Sequence, residues 1–89
     1  MGQNTMPVDV ISVCSAGGEI RPLRLRMEDE CKELVRVDIE QVLDVQQITH
    51  VGVESMIFLC RATVWGRPWQ FRLKYMFRSH MWWMLGRTY

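Results

Sequence analysis

Between positions 65 and 75 the chain reads WGRPWQFRLKY, in which large rings and cations alternate. Rings and cations together are the equipment for single-stranded nucleic acid: rings stack on bases at about 1–3 kcal/mol per base, and cations grip phosphates. Trp65, Trp69, Trp82 and Trp83 are the rings available for stacking, and Arg61, Arg67, Arg72, Lys74 and Arg78 are the cations available for the backbone. The same alternation has a second meaning. Neighbouring residues of a strand point to opposite faces, so rings at every second position would form a core face and the cations its wet reverse. Strand pairing decides between the two.

Other chemistry is sparse. Glu28, Asp29, Glu30 and Glu33 gather in one stretch and could serve as acid–base or metal-binding carboxylates. No histidine accompanies them in sequence, and the chain has no Ser-His-Asp order, Gly-rich phosphate loop or His-x-x-Glu-type pair. They read as a solvated loop. The two histidines, His50 and His80, fall in expected loops, and no ligand pair has metal-site spacing. The three cysteines are odd in number and lack a Cys-x-x-Cys, which argues against a disulfide framework. Cys14 and Cys60 lie in apolar runs, where a free thiol acts as a small hydrophobe. No catalytic residue, cofactor or metal is expected.

The 89 residues, 24% charged and 48% apolar, suit one folded domain over residues 8–89 behind a flexible leader at 1–7. No apolar run approaches the ~18 residues needed to span a bilayer. The start MGQNTMPVDV lacks the basic and apolar segments of a signal peptide, and Met6 breaks the myristoylation pattern. A cytoplasmic chain without a membrane partner is the expectation. Charge is uneven: residues 1–45 carry nine acids against five basic residues, and residues 46–89 carry six basic residues against Glu54 alone. All nine aromatics lie at or after Phe58, so the basic half is also the aromatic half.

The elements that must position these residues have period two almost throughout. Val8 to Cys14 forms a first strand, with Val8 and Val10 on one face and Ile11 and Val13 on the other. Gly17-Gly18 turns the chain into LRLRME at 23–28, and residues 35–45 form a third strand with a bulge at Gln41. A short helical turn over DIEQVLDV is the rival reading of the third. Residues 49–55 are expected as a loop, followed by strands over 56–64, 68–76 and 81–85. A two-residue turn at Trp65-Gly66 would pair Ala62 with Trp69, Cys60 with Phe71, Phe58 with Leu73 and Met56 with Tyr75. Rings would then face inward, and Ile57, Leu59, Arg72 and Lys74 would face out. Charge matching places Met27 opposite Val37, so that Arg26 faces Asp38 and Arg24 faces Glu40. The first hairpin would pair Val10 with Leu25 and Val8 with Met27. Two meanders that must cover one another predict an all-β, small, partly closed barrel of about six short antiparallel strands, SH3/Sm-like.

The runs IRPLRLRMEDE, VDIEQVLDV, FLCRATVWGRPWQFRLKY and MWWML resemble a family of small uncharacterised bacterial proteins of Gram-positive type. That family carries RPLRFR-like, FRC-like and YELKY-like strands before a final Trp-rich one. The resemblance covers most of residues 20–85 and implies strands rather than an activity. Where the family shows Glu in YELKY, this chain has Arg72 in FRLKY. A looser similarity is to the Sm/SH3-like barrels of WYL domains, whose Arg-lined ligand site does not transfer to particular residues here.

The reading ranked first is a non-catalytic module for a protein partner or for itself as a homodimer, through Ile57, Leu59, Trp65, Arg67, Arg72 and Lys74, with Ile11, Val13 and one of Trp82 and Trp83 also on outer faces. Single-stranded nucleic-acid binding by the basic, aromatic half stands second.

Overall fold

Period-two patterning becomes strand along almost the whole chain. The computed structural model describes residues 5–29 and 31–86. Its strands are β1 (Met6–Pro7), β2 (Asp9–Cys14), β3 (Ile20–Glu28), β4 (Leu34–Asp38), β5 (Gln41–His50), β6 (Val53–Val64), β7 (Arg67–Met76) and β8 (Met81–Met84). All pairings are antiparallel, in a five-stranded sheet ordered β1-β8-β7-β6-β5 and a three-stranded sheet ordered β2-β3-β4. The all-β class holds. The expected partly closed barrel of about six strands is not confirmed: among the described residues there are eight strands in two sheets, and the sheet is not closed into a barrel.

The sheets share a core. Leu25, Met27 and Val37 of the smaller sheet meet Phe58, Cys60, Ala62, Phe71, Leu73, Tyr75, Trp82 and Met84 of the larger one. Burial of a side chain such as Phe58 or Leu73, at 1% and 0% exposure, contributes roughly 1.5–3 kcal/mol of transfer free energy. Trp82 lies 4.8 Å from Tyr75 and 5.6 Å from Phe58, centroid to centroid.

The β6–β7 hairpin has the register its apolar face dictates, with Ala62 opposite Trp69, Cys60 opposite Phe71, Phe58 opposite Leu73 and Met56 opposite Tyr75. Trp65 and Gly66 both take positive φ, 51° and 75°, giving the mirror-image turn that suits strand twist. The expected loop over 49–55 is a second such hairpin. β5 runs to His50, Val51 and Gly52 turn at φ of 51° and 76°, and β6 begins at Val53. Val51 hides this turn from the sequence, because a β-branched residue disfavours positive φ.

The strand expected over 35–45 is split, and no helical turn forms there. The Ile39 N–H donates to the Leu23 carbonyl of β3, and the next N–H, of Glu40, donates to the Arg61 carbonyl of β6. Successive amides thus belong to different sheets. The bulge falls at Leu43, between the pairs Val42–Cys60 and Asp44–Leu59, rather than at Gln41.

The first hairpin pairs Val10 with Leu25 as its pattern requires, by a different route. The loop is three residues long, since the Ser15 N–H donates to the Glu19 carbonyl. Leu23 then stands as an extra residue between the pairs Ile11–Arg24 and Ser12–Pro22, and this bulge restores the register. Val8 leaves the ladder and donates its N–H to the Trp82 carbonyl. In the second hairpin Met27 faces Val35, not Val37, which corrects the charge-matched register. A slip of two residues keeps every side chain on its own face, so the apolar pattern does not distinguish the two registers. The turn does. Asp29 Oδ1 accepts from the Cys31 and Glu33 N–H groups at 2.8 and 2.9 Å, and Lys32 takes a φ of 62°.

Of the leader expected over 1–7, residues 1–4 lie outside the described residues. Met6–Pro7 forms β1 on the edge of β8, with Met6 opposite Met84.

Candidate functional site

In the β6–β7 hairpin the inward set takes Phe58, Cys60, Phe71, Leu73 and Tyr75 and leaves the outward set on the far side of the sheet. Trp69 is half-buried, packs against the core and has its ring centroid 4.5 Å from that of Phe71. The rings of WGRPWQFRLKY therefore face the core from Trp69 onward, and the stacking platform expected of Trp69 does not form.

On the outer face, Ile57 stands opposite Lys74, and Leu59 opposite Arg72. Lys74 is in turn opposite Trp83, which is opposite Pro7. Ile57, Leu59, Lys74 and Trp83 are all half-buried, not core, although Ile57 and Leu59 occupy an inner strand of the sheet. Both layers of core lie on the other side, so nothing described covers this face. Arg61, opposite Gln70, extends the row of cations. Among the described residues Arg61, Arg72 and Lys74 have no ion pair within 4.0 Å; every such pair joins Arg24, Arg26 or Arg36 to Asp9 or Asp38. Asp44 reaches the same face opposite Leu59 without pairing, and Glu54 accepts instead from Gln47 Nε2 at 3.3 Å.

The six candidate residues thus divide. Ile57, Leu59, Arg72 and Lys74 come together on one face. Trp65 and Arg67 do not join them. Trp65 occupies the hairpin tip, 75% exposed, and Arg67 pairs with Val64 on the side that Trp69 shares, exposed at the end of the strand. Arg78 sits in the β7–β8 turn. Trp83 completes the face, while its neighbour Trp82 is buried at 7% exposure. Ile11 and Val13 are exposed at 57% and 41%, but on β2 of the other sheet.

The remaining chemical candidates have structural roles. The Asp29 carboxylate is consumed by the turn. Glu30 lies outside the described residues. His80 ends its turn with Nδ1 2.9 Å from the Tyr75 hydroxyl, and His50 closes β5 rather than lying in a loop. Cys14 is exposed, contrary to its apolar context, and Cys60 is buried. Burial pushes the Cys60 thiol up to about 12, which keeps it protonated and unreactive. Among the described residues no three His, Cys, Asp or Glu side chains come together to hold a metal. A cleft of about 830 Å³ opens between the sheets, floored by Pro22, Ile39, Val42 and Phe58. Among the described residues no helix is long and apolar enough to cross a membrane.

The runs compared above with the small bacterial family fall on β3, on β4 and β5, and on β6, β7 and β8. Comparison with protein-family models, curated proteins and solved structures finds no match.

Proposed function

We propose that this chain is a non-catalytic module for protein interaction or self-association, acting in the cytoplasm, and that the outer face of its five-stranded sheet receives an acidic protein partner. A single observation carries this reading: Ile57, Leu59 and Trp83 lie only half-buried beside Arg72 and Lys74, which form no ion pair among the described residues. Apolar area supplies affinity, and unpaired cations choose the sign of the partner and speed its arrival. Stacking this face on a second copy of itself would set cation against cation.

A second reading is favoured by one contact. Trp83 directly opposite Lys74, with Arg72 and Arg61 on the same face, also offers a ring and a phosphate-binding row to single-stranded nucleic acid. A polyglutamate peptide and a single-stranded oligonucleotide of equal charge, each titrated at ~50 and ~200 mM salt, separate the two. An acidic protein surface predicts that both probes perturb the amides of Ile57, Leu59 and Trp83. A stacking site predicts that only the oligonucleotide does so at the higher salt. If neither probe moves these amides at low salt, the face takes no anionic partner and both readings fail. Membership of the resembling bacterial family stays part of the proposal, carried by strand residues alone.

A further inference from the structure

We infer that β5 is the edge through which two copies of this chain pair, antiparallel, about a two-fold axis at Gln47. This deepens the self-association half of the reading above and rests on it.

The four sheet edges differ. β1 is two residues long and contains Pro7. β2 and β4 span six and five residues. β5 spans ten, QVLDVQQITH, with no proline, lysine or arginine, and among the described residues no strand pairs with its outer side. Proteins usually blunt so long an edge with proline, cations or a bulge. Here the single such device is the bulge at Leu43, which leaves Asp44 to His50 regular.

The direction of the free backbone groups follows from the hairpin. His50 and Val53 flank the two-residue turn and therefore form a hydrogen-bonded pair. The strand beyond agrees: the Arg61 carbonyl accepts from Glu40 on the β5 side, and the Glu54 carbonyl accepts from Phe77 on the β7 side. Asp44, Gln46, Ile48 and His50 thus turn their N–H and C=O groups to β6. Val45, Gln47 and Thr49 turn theirs to the open edge.

A two-fold at Gln47 places Gln47 opposite its own copy and Val45 opposite Thr49 of the second copy, and these are the residues with free backbone groups. The positions between them then set Gln46 opposite Ile48 and Asp44 opposite His50 on the outer face. These closer, non-hydrogen-bonded sites are where cross-strand side chains interact best. Each dimer gains two carboxylate–imidazole pairs, so the edge complements itself in side-chain hydrogen bonding as well as in backbone. The two outer faces join into one ten-stranded surface.

The test is sedimentation of the full chain from low to high micromolar concentration. The unmodified chain should shift from monomer to dimer. Gln47→Pro should remain monomeric with an unchanged circular-dichroism spectrum, because an edge N–H facing solvent is the one a strand can lose. Asp44→Lys should weaken dimerisation roughly tenfold, and Asp44→Lys combined with His50→Glu should restore it. Hydrogen exchange on the unmodified chain provides a readout that no substitution disturbs: the amides of Val45, Gln47 and Thr49 should slow as concentration rises. A chain monomeric throughout overturns both this inference and self-association. A dimer that Gln47→Pro leaves intact, without slowed exchange at these amides, overturns the edge and leaves self-association standing on another surface. Failure of the double charge swap to restore pairing overturns the register.

Discussion

Arg26 stands directly opposite Arg36 across β3 and β4. Like charges at a cross-strand site repel. Each guanidinium is answered from the side: Arg26 reaches Asp9 of β2 at 2.7 Å, and Arg36 reaches Asp38, two residues along its own strand, at 3.2 Å. Arg24 shares Asp38 at 2.7 Å. Exposed pairs of this kind are weak, so they accommodate the register without choosing it.

The choice belongs to Asp29. Its carboxylate accepts two backbone N–H groups that the turn would otherwise leave to water. Asp29→Ala should lower stability by about 1–2 kcal/mol in urea denaturation, at about 1 kcal/mol per lost bond. Asp38→Asn, which touches only exposed ion pairs, should cost less. An equal or larger cost for Asp38→Asn would show that charge, not the turn, sets the register.

Asp38 also gives a pH signature. The Arg36 guanidinium, then Arg24, holds its carboxyl below the ordinary 3.8 against an opposing desolvation. A lowered native value means stability that is present above the ordinary value and lost as pH falls through the native one. The stability difference between the unmodified chain and Asp38→Asn should therefore be visible at neutral pH and vanish in acid. A difference that persists unchanged at pH ~2 would contradict the pairing.

Val51 and Trp65 hold positive φ at the first position of two-residue turns that favour Asn-Gly. Val51→Asn should raise stability by about 1 kcal/mol, the cost of the left-handed conformation for an ordinary side chain. In thermal melts this is a gain of roughly 4–8 °C. Trp65→Asn should behave likewise, and since Trp65 lies apart from the outer face, it should leave binding of the anionic probes unchanged.

Thiol modification separates the cysteines. Cys14 and Cys31 are exposed, and Cys60 is buried with its thiol pushed up to about 12. An alkylating agent at mildly alkaline pH should label two sites in the folded chain and the third only after unfolding, as counted by mass spectrometry. Labelling of Cys60 in the folded chain would mean that the core opens locally.

Adjacent residues of β6 should respond oppositely. Phe58→Ala should cost about 3–5 kcal/mol, because it opens a cavity at 1% exposure. Ile57→Ala should cost about 1 kcal/mol of stability and weaken partner binding instead. A similar loss of stability from both, measured by denaturation, would place Ile57 in a covered layer.

The β6–β7 hairpin was legible in the sequence because two signals agreed: an unbroken apolar face and a glycine at the turn. Where only one signal existed, inference failed. The β3–β4 register turned on a side chain reaching its own backbone, which period-two patterning does not encode. The β5–β6 turn was masked by Val51, and the sheet change at Ile39–Glu40 has neither glycine nor proline to announce it. At the site, alternation separated Ile57, Leu59, Arg72 and Lys74 from the core. It left Trp82 and Trp83 equivalent until the register of β8 assigned each a face. Arg67 has the parity of Trp69, so the fold puts it apart from the other cations.

The handover between Ile39 and Glu40 has a kinetic consequence. Each ladder except β1–β8 joins strands that follow one another in sequence, and the smaller sheet is complete before β5 begins. Loop-closure entropy is therefore met in short instalments, with one long closure that brings Met6 to Met84. For an all-β chain this is low contact order, and it places folding at the fast end of that class, with β1 docking as the last and most readily reversed step.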